Sequence, residues 1–125
     1  MRIKSDGGII KNQATTEYNY AGFVSNSSVI TIDVPVVDDS GAGAGHKIFA
    51  NHTHYNWSSY GAMLECWISS RATSILEQLN THNVTSGQGG AWTVTKPNTT
   101  TLRISKSAGS YVGSGYYWVR VITNN

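Results

Sequence analysis

Along residues 116–122, Tyr-Tyr-Trp-Val-Arg-Val-Ile, large apolar side chains fall on both parities of an extended chain. Tyr116, Trp118 and Ile122 share one side of such a strand and Tyr117, Val119 and Val121 the other, with Arg120 the sole charge. A strand with one wet face alternates apolar with polar positions; this one needs cover on both. A small sandwich covers one face. The second cover is read as a neighbouring subunit, with a strand tucked under a long loop as the alternative. Residues 62–70 repeat the pattern, with Met63, Leu64, Cys66, Trp67 and Ile68 spread over both faces.

Other segments carry ordinary strand signals. In residues 29–37, Ile30, Ile32 and Val34 alternate with Thr31, Asp33 and Pro35, and Pro35, which cannot donate to a ladder, predicts an edge or bulged strand. A glycine-rich loop at 38–45 precedes a strand at 46–55, and a broken loop at 56–61 leads into 62–70. Residues 74–81 fit a helix of about two turns, too short to stand alone, and are read as a strand among β neighbours. Residues 91–95 and 99–106 flank Lys96-Pro97-Asn98 as a hairpin. A loop at 107–115 precedes the last strand. These elements predict an all-β fold, an antiparallel β-sandwich of jelly-roll-like character, and the doubly apolar strands predict a symmetric oligomer of it. Residues 1–25 are read as a polar N-terminal lead-in, a shaft or inter-subunit segment, and residues 26–125 as the sandwich.

At 125 residues the chain is long enough for one core without disulfides or a structural metal. Charged residues make up 13%, the net charge is +2, and the nine basic residues are scattered as ordinary solubilising charge, which argues against a nucleic-acid partner. The single cysteine, Cys66, sits among apolar neighbours and reads as a small buried hydrophobe. The polar N-terminus is unlike a signal peptide, and no apolar run is long enough for membrane insertion, so folding in a reducing cytoplasm is expected.

The common nucleophile, phosphate-loop, dinucleotide and Cys-X-X-Cys motifs are missing, and no catalytic residue is assigned. Asp38 and Asp39 lie together in a glycine loop, where solvation or turn hydrogen bonding accounts for them, and Glu65 and Glu77 have no acidic neighbour. The chain is therefore read as a non-enzyme. No cofactor is expected, with one exception. His52 and His54 share strand parity with His46, and threefold symmetry would bring six imidazoles from His52 and His54 round an axis, enough for a transition metal. Two ligands per chain with no acidic or thiol neighbour make an unmetallated role the preferred reading. Tyr55, Trp57, Tyr60 and Tyr111, set among serine and glycine, are candidate receptor-binding or glycan-binding aromatics, since flat apolar faces with polar edges suit sugar rings. Met63, Trp67, Tyr116 and Trp118 are the subunit-interface candidates.

The polar lead-in, the His-rich strand into Trp57-Ser-Ser-Tyr-Gly-Ala-Met-Leu64, the hairpin from Trp92 to Ser105 and the closing Tyr-Tyr-Trp-Val-Arg-Val-Ile strand together resemble the C-terminal receptor-binding tips of bacteriophage tail fibres, especially marine and cyanobacterial ones. That resemblance implies a trimeric β-sandwich in the virion. It further implies a non-catalytic adhesin whose partners are itself, a host surface glycan or outer-membrane protein, and other virion proteins. A capsid decoration or other virion structural protein without receptor binding is the alternative.

Overall fold

The computed structural model describes the backbone of residues 2–54, 57–85 and 87–124, and the side chains of these except 54 and 57–60. The described residues form two antiparallel sheets and no helix. The ten strands are β1 (Arg2–Ile3), β2 (Ile9–Ile10), β3 (Thr15–Ser25), β4 (Ile30–Pro35), β5 (Ala44–His54), β6 (Trp57–Arg71), β7 (Ser74–Val84), β8 (Trp92–Asn98), β9 (Thr101–Lys106) and β10 (Ser114–Asn124). A seven-stranded sheet runs in the order β1-β2-β3-β10-β5-β6-β7, and a three-stranded sheet in the order β4-β9-β8. The all-β antiparallel sandwich expected from the alternation is the observed fold.

Period-two alternation builds the core. Val119 and Val121 of β10, Ile48 and Ala50 of β5, and Leu64, Cys66 and Ile68 of β6 face inward from the large sheet. Ile30, Ile32 and Val34, Leu102 and Ile104, and Trp92 and Val94 meet them from the small sheet. Each fully buried aliphatic side chain contributes about 1.5–3 kcal/mol. Trp92 keeps its polar tip satisfied by donating Nε1–H to the Ala62 carbonyl at 2.9 Å. Cys66 is fully buried and burial pushes its thiol up to about 11, as fits a packing residue. On the same inner face Tyr117 lies across Gly22, where a Cβ would stand 2.5 Å from the ring. Any side chain at Gly22 would displace that tyrosine.

The structure differs from the sequence reading in several places. Residues 15–25, read as part of a lead-in, form β3, paired along its whole length with β10, and Tyr18 lies in the core. Tyr18 also holds the β1–β2 hairpin, its hydroxyl donating to Asp6 at 2.9 Å and accepting from Lys4 at 3.2 Å. Residues 57–61, expected in a loop, begin β6. Lys96 and Pro97 belong to β8, and the turn falls at Thr99–Thr100, where the Asn98 side chain accepts from the Thr100 amide at 3.0 Å. Pro97 is tolerated because β8 is an edge strand whose ladder with β9 shifts register between Thr95 and Asn98. Pro35 likewise sits on an edge strand, β4, as expected.

Asp39 and two lysines correct the solvated-charge reading. Asp39 and Lys96 are both fully buried and pair at 3.1 Å, and the Lys96 ammonium also donates to the carbonyls of Asn98 (2.9 Å) and Ala72 (3.2 Å). Lys106 is equally buried and spends its three protons on the carbonyls of Gly89, Ser107 and Asn26 at 2.9, 2.9 and 3.1 Å. Burial lowers its pKa. The two lysines close opposite ends of the small sheet. Asp38, by contrast, does make the expected turn, accepting from the Ser40 amide at 3.0 Å.

Candidate functional site

The outer face of the large sheet is lined by side chains that the fold leaves uncovered. β10 lies between β3 and β5, so its outward residues Tyr116, Trp118 and Arg120 stand at the middle of that face. Phe23 lies beside Tyr116 with ring centroids 4.7 Å apart. Met63 and Trp67 continue the surface on β6. Exposure is 67% for Tyr116, 55% for Trp67, 53% for Phe23, 44% for Met63 and 43% for Trp118, so all four interface candidates stand on one open face. The alternative of a long loop over β10 does not hold for this face. Phe23 was not singled out from the sequence, although its parity with Trp118 through β3 pairing would have placed it here.

Charges are threaded among the rings. Lys47 Nζ stands 4.5 Å over the Trp67 ring and 5.2 Å over Phe49, and 3.7 Å from Glu65 Oε1. Arg120 also lies 5.7 Å over Phe49 and donates to Glu17 at 2.8 Å. Burial alone would raise the Glu17 carboxyl, but hydrogen bonds from Asn19 and Arg120 hold it below its ordinary value. Two shallow grooves result. One of ≈ 250 Å³ runs between Trp118, Met63, Phe49 and His82, and another of ≈ 320 Å³ between Lys47, Trp67 and Ile122.

Glu65 is the carboxylate in the first groove. Thr81 Oγ1 donates to it at 2.7 Å and His82 Nδ1 lies 3.0 Å away, and these bonds lower its pKa. A carboxylate so held is an acceptor for hydroxyl donors and a poor proton donor at neutral pH. Glu77 projects from the same face four ladder positions along β6, about 13 Å by strand rise. Acid/base pairs in glycoside hydrolysis stand about 5–9.5 Å apart. Asp39 is committed to Lys96 in the interior and Asp38 to its own turn.

The histidines go elsewhere. His46 and His52 share strand parity as expected, and both point into the sandwich. His46 Nδ1 lies 2.7 Å from Thr123 Oγ1 and its Nε2 lies 2.8 Å from Ser70 Oγ, which in turn donates to Asp39 at 2.6 Å. Because Ser70 gives its proton to Asp39, His46 Nε2 carries hydrogen and Nδ1 accepts from Thr123. His52 is fully buried with Nε2 3.2 Å from the Val24 carbonyl. Such an imidazole does not reach a symmetry axis on the surface. The His54 side chain lies outside the described residues, as do Tyr55 and the side chains of Trp57 and Tyr60.

His52 pairs with Tyr117, so the end of β5 and the start of β6 lie at the same end of the sandwich as the loop preceding β10. Tyr111 is in that loop, half-buried, its amide donating to the Gln88 carbonyl at 3.0 Å. The end of β5, the start of β6 and the Tyr111 loop therefore share one tip, remote from the Asp39–Lys96 end.

Fold and surface together define an antiparallel β-sandwich with an uncovered aromatic side wall and a loop-bearing tip. No protein family matches the chain, and no curated protein does. Among solved structures it is similar to the tailspike protein gp49 of Acinetobacter baumannii bacteriophage Fri1, described as a capsular polysaccharide depolymerase, with a TM-score of 0.50 and 12% identity over 94% of this chain and 19% of that one. The tailspike of Acinetobacter phage vB_ApiP_P1 (TM-score 0.45, 17% identity, 84% of this chain and 21% of that one) and that of Acinetobacter baumannii phage AM24 (0.37, 12%, 88% and 26%) are more distant. The chain thus spans about a fifth to a quarter of the length of the tailspikes it matches.

Proposed function

We propose that this chain is a bacteriophage tail domain, of fibre or tailspike, that binds a host surface polysaccharide without cleaving it and assembles as a homotrimer. The observation that carries this reading is the likeness, across nearly the whole chain, to part of a tailspike described as acting on capsular polysaccharide. The tip that carries the Tyr111 loop serves as the recognition surface, since binding residues concentrate on loops held by a rigid scaffold. The side wall of Met63, Trp67, Tyr116 and Trp118 serves the subunits. The non-catalytic part rests on the separation of Glu65 from Glu77 and on the interior place of Asp39. Other virion proteins and a host outer-membrane protein are the remaining partners under this reading. The test is binding of the purified protein to a bacterial capsule array and to whole host cells, with reducing-sugar release measured in the same wells. Binding without sugar release is expected; sugar release would overturn the non-catalytic assignment, and binding to no surface polysaccharide would overturn the recognition role.

A further inference from the structure

The sandwich has four kinds of strand edge, and they are not equally protected. In the small sheet, β4 is six residues long and carries Pro35, and β8 is seven residues long and carries Pro97 and the inward-pointing Lys96. Proline, shortness and inward charge are the devices by which proteins blunt an edge against pairing with another chain. In the large sheet, β7 is an edge of eleven residues without proline or lysine, and Glu77 is its only charge. Every β7 residue is exposed except the half-buried Ile75, and Leu76, Leu79 and Val84 are among those left open. At the opposite side of the same sheet, β2 pairs only with Thr16 and Glu17 of β3. Residues 18–25 of β3, uncharged and free of proline, thus form a second open edge.

We propose that these two edges meet between copies of this chain: β7 of one subunit docks beside residues 18–25 of β3 in the next, in a closed head-to-tail ring. This rests on the homo-oligomeric part of the proposed function and specifies its geometry. Three arguments select a second copy as the occupant. A closed ring needs two different surfaces on each chain, and the two unguarded edges lie on opposite sides of one sheet. Ordering an exposed strand costs roughly 1–2 kcal/mol per residue in backbone entropy, which pairing along one side alone, with one half-buried side chain, does little to offset. Finally, both edges are continuous with the same aromatic wall, Leu79 opposite Trp67 and Phe23 beside Tyr116. The five large side chains on that wall leave roughly 600 Å² open, each aromatic burying about 150–250 Å² when covered. A stable interface takes about 800 Å² per partner, so the wall and the edges together meet it. Edge-to-edge docking turns the three walls inward, towards one another.

The experiment pairs a cross-link with a charge substitution. In the protein carrying Leu79→Cys and Phe23→Cys, a short bismaleimide is expected to give bands of two and three chains, while either single substitution stays uncross-linked; Cys66 is buried and does not compete. Leu76→Lys with Leu79→Lys is expected to turn trimer into monomer with an unchanged circular-dichroism spectrum. A wild-type protein that sediments as a monomer at about 100 μM would overturn both this inference and the homotrimer reading. A wild-type trimer that persists in the lysine variant, or cross-links through either single cysteine, would overturn the edge contact alone. Should the lysine variant fail to fold, the cross-link decides.

Discussion

The two faces of the large sheet are made by the same strands and differ in almost every physical respect. Inward, β10 presents Val119, Val121 and Thr123, all buried, and the polar groups that share this interior at the Asp39 end are bonded in a chain from Thr123 through His46, Ser70 and Asp39 to Lys96. Outward, the same strand presents Tyr116 and Trp118, largely open, among cations that lean over rings. The inner face is committed within the chain. The outer face pairs its charges within the chain and leaves its apolar area open. The first holds the chain together, and the second is the kind of open apolar patch that marks a contact surface.

The contrast can be broken from the inside first. Asp39→Ala leaves the Lys96 ammonium buried without its partner and is expected to cost about 3–5 kcal/mol in chemical denaturation. A loss below about 1 kcal/mol would mean that Lys96 escapes to solvent. Acid should act on the same cluster. Burial, reinforced by nearby Lys96, lowers the His46 imidazole to about 4, whereas an unfolded histidine titrates near 6.5. Between those values the unfolded state takes up a proton that the folded state refuses, so stability falls as pH falls, by about 3 kcal/mol over the window. Below it Asp39 adds its own loss: burial raises its carboxyl, but the Ser70 hydrogen bond and Lys96 outweigh this and hold it low, so protonation favours the unfolded chain. Melting temperatures measured from pH 7 to 4 should decline, and His46→Gln should make that decline shallower whatever its absolute stability, leaving the part that comes from His52, whose imidazole is also lowered by burial. The smallest effect is expected outside. Trp118→Arg should change the stability of the isolated chain by less than about 1 kcal/mol while abolishing assembly in sedimentation. A large loss of monomer stability would show that Trp118 belongs to the chain's own core.

Alternation made the sheets legible. Residues 116–122 and 62–70 announced two apolar faces, and Pro35 announced an edge, because strand parity and the missing proline amide are local facts. The interior ion pair was not legible, since Asp39 and Lys96 are 57 residues apart and each sits in a segment whose composition, glycines on one side and Lys-Pro-Asn on the other, signals a turn. The same local signal placed the β8–β9 turn too early. Strand β3 was missed because its inward positions include Thr16 and Tyr18, and its outward ones Glu17 and Asn19, so no run of aliphatic residues marks it. The aromatic wall was half-foreseen: Met63, Trp67, Tyr116 and Trp118 were found from their own strands, and Phe23 waited on the register of β3 against β10. His46 and His52 were rightly put on one face, but which face it was depended on Val119 and Val121 facing inward beside them.

The place of β10 in the sheet sets the timetable of folding. β3 and β5 have no direct ladder with each other and are joined only through β10, so residues 15–25 wait for partners about a hundred positions later in the chain. During synthesis at roughly 5–20 residues per second that wait lasts seconds, with β3 paired only to β2 at Thr16 and Glu17 and with β5 open on the side away from β6. The two ladders of β10 therefore close late, beside hairpins β5–β6 and β6–β7 that form locally, and non-local pairing of this kind slows folding. Expression at lower temperature, or with a chaperone that shields strand edges, should raise the soluble yield more than any change to the surface.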